Sequence, residues 1–337
     1  MRSIGGSLVA GVMSAMLAAL TPVGQAAAAD WKMASGYPDS SYLTGTLREF
    51  LADVERQSAG DIKVTLHNNQ SLVKLPDIPR AVQNNQVALG EVYAANLGNQ
   101  DPMFTLDAIP FLAPDEASAW ALWSAQRKYF EEWFAKRGSR LLFAEFFPAQ
   151  GFFTRKPIRS AADLAGVKLR IYSNETKRMG ELLKAQPLVV QFGEVPQAFS
   201  TGMIDGMFTS PQTGIDTQAW DFTTHYVNVG AMRAKLFVIV NESAYQKLPR
   251  SSQDALLAAS ASAEKRGMQK GTEITKAQIG TLAAKGISVA EASSQLLGEL
   301  KSSGQTMTDE WRQKASAEQR KVLETYEASR KSQAAGK

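Results

Sequence analysis

The chain has 337 residues, 44% hydrophobic and 21% charged, with 37 Lys plus Arg against 33 Asp plus Glu and a net charge of +4. That is the composition of a globular protein of one large or two medium domains, and disorder is excluded. The absence of cysteine, with His67 and His225 as the only imidazoles, excludes a disulfide framework, a thiol nucleophile, a zinc–thiolate site and a histidine-rich metal centre.

Met1 and Arg2 precede an apolar run from Ile4 to Leu20, and Ala26 to Ala29 offer small residues to a signal peptidase. This is the pattern of a cleavable secretory leader over 1–29, which predicts a periplasmic protein. An uncleaved anchor is the alternative, but the run is short for a bilayer span of about 20 residues.

Trp31 to Tyr37 alternates as a strand and ends at the turn and helix cap Pro38-Asp39-Ser40-Ser41. Leu43, Leu47, Phe50, Leu51 and Val54 recur at helical spacing, Gly60 closes that helix, and Ile62 to Leu66 alternates again. A short helix around Ile78 to Val82 leads to a strand over Val87 to Tyr93, and Trp120 to Phe134 forms a further helix. A second α/β round starts with a strand at Arg140 to Phe147. Ser160 with Asp163 caps one helical turn, and Val167 to Ile171 alternates as a strand. There follow a helix over Asn174 to Ala185, a strand over Pro187 to Phe192, a short helix over Val195 to Thr201 and a strand over Ile204 to Phe208. Ala234 to Asn241 is a β-branched strand, and from Ser251 a helical pattern runs to Gly286, weakened only at Gly267, Gly271 and Gly280. About thirty residues at 1.5 Å each cover roughly 45 Å, enough to span two lobes. After Ile287 to Ala290 two polar helices finish the chain.

The expected fold is α/β with two lobes, hinge strands and a long connecting helix. The first lobe takes 30–147 plus 236–275, the second 148–235 plus 276–325, and 326–337 is the C-terminal tail, frayed over Lys331 to Lys337.

Enzyme motifs are absent: there is no G-x-S-x-G, G-x-G-x-x-G, Walker loop or H-E-x-x-H. Glu131 and Glu132 are adjacent on a helix and point apart, which makes them a solvated face. The cations do not cluster, so nucleic acid is not an expected partner. No cofactor is implied. Arg170 stands out, because it lies inside an alternating strand near its carboxyl end, where α/β sheets present ligand contacts. A guanidinium holds a carboxylate by two parallel bonds, which Lys does not reproduce. Alternation alone leaves open whether Arg170 binds ligand or sits on the exposed face of an edge strand.

Asp163-Leu-Ala-Gly-Val-Lys-Leu-Arg170 resembles the "DL-x-G-x-K-x-R" segment of the solute-binding receptors of TRAP transporters, the DctP-like family. In matching order, Asp107 to Leu112 resembles that family's "D-x-PFL" and Lys156-Pro157-Ile158 its "KPI". Glu194, Val195, Ala198, Gly202, Asp205 and Gly206 resemble its "E-V-x-x-A-x-x-x-G-x-x-D-G". The resemblance covers nearly the whole chain after the leader. It implies a two-lobed receptor with an interlobe cleft, a small organic acid as ligand and the membrane permease of a TRAP transporter as partner. It gives Arg170 the substrate carboxylate and Thr209 or Ser210 a supporting role. Gln150 stands where many members carry a second Arg, and Pro196 where a Tyr is usual.

Aromatic residues gather near these segments: Phe147, Phe152, Phe153, Tyr172, Phe208 and Trp220. Core packing is the default for each, with one or two expected to face the cleft; Phe152, Tyr172 and Phe208 are the expected walls. One guanidinium among apolar walls suits a monocarboxylate, with an aromatic 2-hydroxy or 2-oxo acid as the expected ligand. The alternatives are a C4-dicarboxylate receptor of the same class, a receptor for an ABC importer or sensor, and a secreted hydrolase or isomerase.

Overall fold

The computed structural model describes residues 29–335. The expected leader lies outside the described residues except for Ala29, which opens β1 (Ala29–Ala34). The first round is β1, α1 (Tyr42–Gln57), β2 (Ile62–His67), α2 (Ile78–Gln83) and β3 (Leu89–Tyr93), followed by α3 (Glu116–Ala135) and β4 (Ser139–Phe146). The second is β5 (Gly151–Thr154), β6 (Lys168–Ile171), α4 (Asn174–Leu182), β7 (Gln186–Val189), α5 (Val195–Ser200), β8 (Gly206–Thr209), α6 (Pro211–Asp216) and β9 (His225–Asn228). The chain ends with β10 (Lys235–Asn241), α7 (Glu242–Gln246), α8 (Arg250–Ala284), β11 (Ser288–Glu291), α9 (Ser294–Lys314) and α10 (Ala317–Ala335). Among the described residues no helix is long and apolar enough to cross a membrane.

Two sheets result, one per lobe. The first has strand order β2-β1-β3-β10-β4, and the second β11-β9-β5-β8-β6-β7. β1 runs parallel to β2 and β3, while β10 runs antiparallel to both β3 and β4. In the second sheet β6 lies parallel to β7 and β8, and β5 pairs antiparallel with β8 and β9. Residues 147–150 and 229–234 therefore cross between lobes. They form a ribbon, with Phe147 N–H donating to the Ala234 carbonyl at 2.9 Å and Gln150 N–H to the Met232 carbonyl at 3.1 Å.

The third crossing is α8, whose 35 residues rise about 50 Å. Its first half buries Leu256, Ala259 and Ala263 with Phe50, Phe143 and Val238 of the first lobe. Its last turns bury Leu282 with Phe153, Phe199 and Tyr226 of the second. Gly267, Gly271 and Gly280 do not interrupt it, since packing at both ends outweighs a propensity deficit of about 1 kcal/mol per glycine.

The structure differs from expectation in four places. The second sheet contains β5 and β9, four residues each, which the alternation did not mark. β7 stops at Val189, and residues 192–194 turn as a single 3-10 helix. β8 starts at Gly206, because residues 201–205 turn out of α5. The tail expected from 326 is the continuation of α10, which packs on α3 of the first lobe. Tyr326 is buried there and its hydroxyl donates to the Leu112 carbonyl at 2.7 Å.

Candidate functional site

The cleft between the sheets collects the ends of several strands. The first lobe contributes Tyr37 beyond β1, Tyr93 at the end of β3, Phe147 just past β4, and Leu75. The second contributes Arg170 on β6, Tyr172 just past it, Phe192 beyond β7, and Thr209, Ser210 and Thr213 at the β8–α6 junction. Gln150 and Ala234 enter from the crossing ribbon. This is the carboxyl-end placement that α/β sheets give their ligand sites.

β6 is an inner strand between β8 and β7, so Arg170 is not on a sheet edge. Its side chain is 3% exposed. Nε donates to the Val190 carbonyl at 3.0 Å, which orients the guanidinium. Among the described residues neither terminal nitrogen makes a hydrogen bond, and no carboxylate pairs with the group. Burial pulls its pKa down to about 10, so it remains a cation near neutrality. A desolvated cation without a counterion is costly, and an anionic ligand relieves that cost.

Gln150 is buried, and its Oε1 accepts the Tyr172 hydroxyl at 2.5 Å, which leaves the amide nitrogen free to donate. The Arg170 guanidinium carbon lies 5.4 Å from the Tyr172 ring centre, so Tyr172 ties cation and amide into one unit. Ser210 caps α6, accepting from Thr213 N–H at 3.2 Å and donating to Thr213 Oγ1 at 3.3 Å. Thr209, with no side-chain partner among the described residues, is the freer hydroxyl.

Phe152 and Phe208 do not line the cleft. They face one another across the β5–β8 ladder with ring centres 4.9 Å apart, fully buried. Mid-strand side chains lie below the strand ends, so both rings belong to the core. The walls are instead Tyr37 against Phe147 (5.3 Å) and Phe192 (5.4 Å), and Tyr93 against Tyr172 (5.7 Å), all edge to face. Sequence reasoning missed Tyr37, Tyr93 and Phe192; their place at or just beyond strand ends was the available signal.

Beneath these rings lies a polar layer. Ser35, Glu91 and Glu145 stand two residues before Tyr37, Tyr93 and Phe147 in the chain. Ser35 donates to Glu91 Oε2 at 2.5 Å, and the other carboxyl oxygens of the two acids have no donor. Burial pushes Glu91 up to about 7, and burial together with the charge of Glu91 pushes Glu145 well above the ordinary carboxyl range.

The motif residues have structural roles. Asp107 accepts from buried Lys235 at 3.0 Å, fixing the start of β10 in the hinge, and Gln126 completes the triad. Burial pushes Asp107 up and Lys235 down, each opposing the other's shift. A Cβ at Gly206 would stand 2.9 Å from the Phe153 carbonyl, so the close β5–β8 approach needs glycine. Pro196 sits in the first turn of α5, where its missing N–H loses no helix bond. His67 ends β2 and His225 opens β9, in different sheets. Glu131 and Glu132 pair with Arg127 and Lys128 on the face of α3.

Residues 33–314 match the family described as bacterial extracellular solute-binding protein, family 7. An extracytoplasmic solute receptor of Bordetella pertussis that binds pyroglutamic acid is 41% identical, with a TM-score of 0.87 over 89% of this chain and 100% of that one. A second such receptor of B. pertussis, also binding pyroglutamic acid, is 36% identical, with a TM-score of 0.86 and the same coverage. A TRAP solute binding protein from a marine metagenome, specific for pyroglutamate, is 28% identical, with a TM-score of 0.86 over 90% of this chain and 99% of that one. A solute-binding protein of Roseobacter denitrificans is 26% identical over 230 residues, 64% of this chain and 67% of its own length.

Proposed function

The chain belongs to the bacterial extracellular solute-binding proteins of family 7, and we propose that its cleft takes a compact cyclic monocarboxylate of the pyroglutamate kind. As a TRAP-type receptor it binds a small organic acid outside the cytoplasm and delivers it to the membrane permease. We further propose that residues 1–29 are removed on export to the periplasm, and that the protein acts by binding alone.

The observation that carries the ligand reading is one buried guanidinium with free terminal nitrogens in a cleft otherwise closed by rings and neutral polar groups. Arg170 takes the carboxylate by a bidentate pair. The Gln150 amide, the Thr209 hydroxyl and the hydroxyls of Tyr37 and Tyr93 serve the lactam N–H and carbonyl. The ring packs against Tyr37, Phe147 and Phe192. The binding of pyroglutamate by three similar receptors supports this choice. The expectation of a bulky aromatic acid gives way, because Phe152 and Phe208, two of the walls on which it rested, are core residues. A dicarboxylate would place its second charge near Gln150 without a cation, at a cost of several kcal/mol.

Mass spectrometry of ligand released from purified protein, followed by calorimetry with pyroglutamate, mandelate, lactate and succinate, tests the reading. Pyroglutamate should bind most tightly and, at a thousandfold excess over its Kd, add about 4 kcal/mol of stability. Succinate binding as tightly as every monocarboxylate would overturn it.

A further inference from the structure

A second hollow adjoins the hinge. It encloses about 320 Å³ and is walled by one face each of α1, α3 and α8 together with the crossing ribbon. Phe147 and Ala234 line the interlobe cleft, their chain neighbours Phe146, Pro148 and Arg233 line this cavity, and no residue lines both. The ribbon therefore separates two hollows, and the second has the size of a small-molecule site, about 300–1,000 Å³. Its walls stand back further than packing requires. Gly45 of α1 and Gly267 of α8 line it, and a Cβ at either position would meet nothing within 4 Å. Both lie inside helices, where glycine is less favourable than alanine, and neither has a positive φ. No neighbour and no turn calls for glycine at these two positions; what they leave is room.

The groups around that room are donors without acceptors, beside an apolar wall. Arg233 makes no hydrogen bond or ion pair among the described residues, and its Nε is buried. Arg266 donates from Nη1 to Asp53 at 2.6 Å, while its Nη2 is buried without a partner. The acids on the wall do not pair with Arg233. Glu116 accepts from the Thr272 hydroxyl at 2.5 Å, and Glu49 lies 3.8 Å from Lys270. Glu145 is buried with both carboxyl oxygens unpartnered, and that burial raises it well above the ordinary carboxyl range, which favours its neutral form. Trp120 and Phe146 meet edge to face with ring centres 4.7 Å apart.

We propose that this cavity is a second binding site, separate from the interlobe cleft, for a small monocarboxylate with a flat apolar body. Arg233 pairs with the carboxylate, and the body lies on Trp120 and Phe146 in the space that Gly45 and Gly267 leave. An unpaired, largely buried guanidinium is costly, and an anion relieves that cost here as it does at Arg170. The site does not depend on which acid the cleft takes.

Phenylacetate is the probe and phenylacetamide its neutral counterpart, titrated by calorimetry into the whole protein held saturated with pyroglutamate. Phenylacetate should still bind, with a Kd of about 1 mM or tighter, and phenylacetamide at least about tenfold more weakly. Gly267→Leu puts a side chain into the open space and favours the helix. It should weaken phenylacetate at least about tenfold without lowering Tm, and leave the pyroglutamate Kd within about twofold of wild type. Arg233→Gln should weaken phenylacetate about tenfold or more. Arg170→Lys, which impairs the cleft, should leave the phenylacetate Kd within about twofold of wild type. No binding of phenylacetate, its displacement by pyroglutamate, equal binding of acid and amide, or an unchanged Kd in Gly267→Leu would each overturn the second site. Failure of wild-type protein to bind pyroglutamate would sink the ligand reading of the cleft alone, and Gly267→Leu and Arg170→Lys would then decide the second site with phenylacetate by itself.

Discussion

The two walls of the cleft are built on different terms. The second lobe brings the cation and the neutral hydrogen-bonding groups, Arg170, Thr209, Ser210 and Thr213, with Gln150 tied in through Tyr172. The first lobe brings Tyr37, Tyr93 and Phe147, and under them the acid pair Glu91 and Glu145. A ligand carboxylate is attracted to the second lobe and meets no cation on the first. In the proposed reading the second lobe captures and orients the acid, and the first closes over its apolar part and offers no cation to a second carboxylate.

Removing the fork while keeping the charge should blur that division most. Arg170→Lys should weaken binding by about 2–4 kcal/mol, roughly 30- to 1000-fold, by calorimetry of the folded variant. Affinity near wild type would move the carboxylate anchor elsewhere.

The acid pair is the next lever. The folded pKa of Glu91 is raised to about 7, Glu145 is raised well above the ordinary carboxyl range, and Asp216 is raised to about 7, all chiefly by burial. The native state therefore holds protons that the unfolded chain releases above about pH 4.5. The stability these groups contribute is fully present below that pH and is lost as pH rises through 7. Denaturant titrations of ligand-free protein should show the decline. Glu145→Gln, which keeps the shape of the side chain without its ionisation, should flatten it. An unchanged pH slope in the variant would remove the acid pair from this account.

A smaller effect should come from Gln150→Arg. A second cation on the cleft should raise succinate affinity relative to pyroglutamate by about tenfold, and no shift would mean that Gln150 does not set the charge preference. Smallest is Tyr93→Phe, which keeps the ring and drops the hydroxyl. It should cost about 0.5–1.5 kcal/mol in pyroglutamate binding and leave propionate binding unchanged.

The strands carrying the cation were legible because alternation and length agree there: Val167 to Ile171 reads as a strand and Arg170 lies at its carboxyl end. The same logic found Tyr172, while Phe147 was noted only as one of several aromatics. It failed for Phe152 and Phe208, which lie within strands and face one another across a ladder that the sequence did not mark. β5 (Gly-Phe-Phe-Thr) and β9 (His-Tyr-Val-Asn) each place two large apolar residues side by side, so neither alternates. Tyr37 and Phe192 lie beyond their strands in turns, where no periodicity reports direction. The layer of Ser35, Glu91 and Glu145 was invisible for another reason: it joins the turn after β1 to β3 and β4, and which residues meet there comes from strand pairing.

The position of β10 has a consequence for how the molecule comes into being. It lies between β3 and β4, which have no ladder with each other, yet it is made after the whole second round of strands. The first sheet stays in two pieces until residues 235–241 arrive, and β11 completes the second only at 288–291. Both closures join segments distant in sequence, which are slow to form. A chain emerging amino end first through a narrow passage therefore keeps its sheets incomplete until most of its length is through, and the same late strand then joins the two halves of the first sheet and sets one side of the hinge.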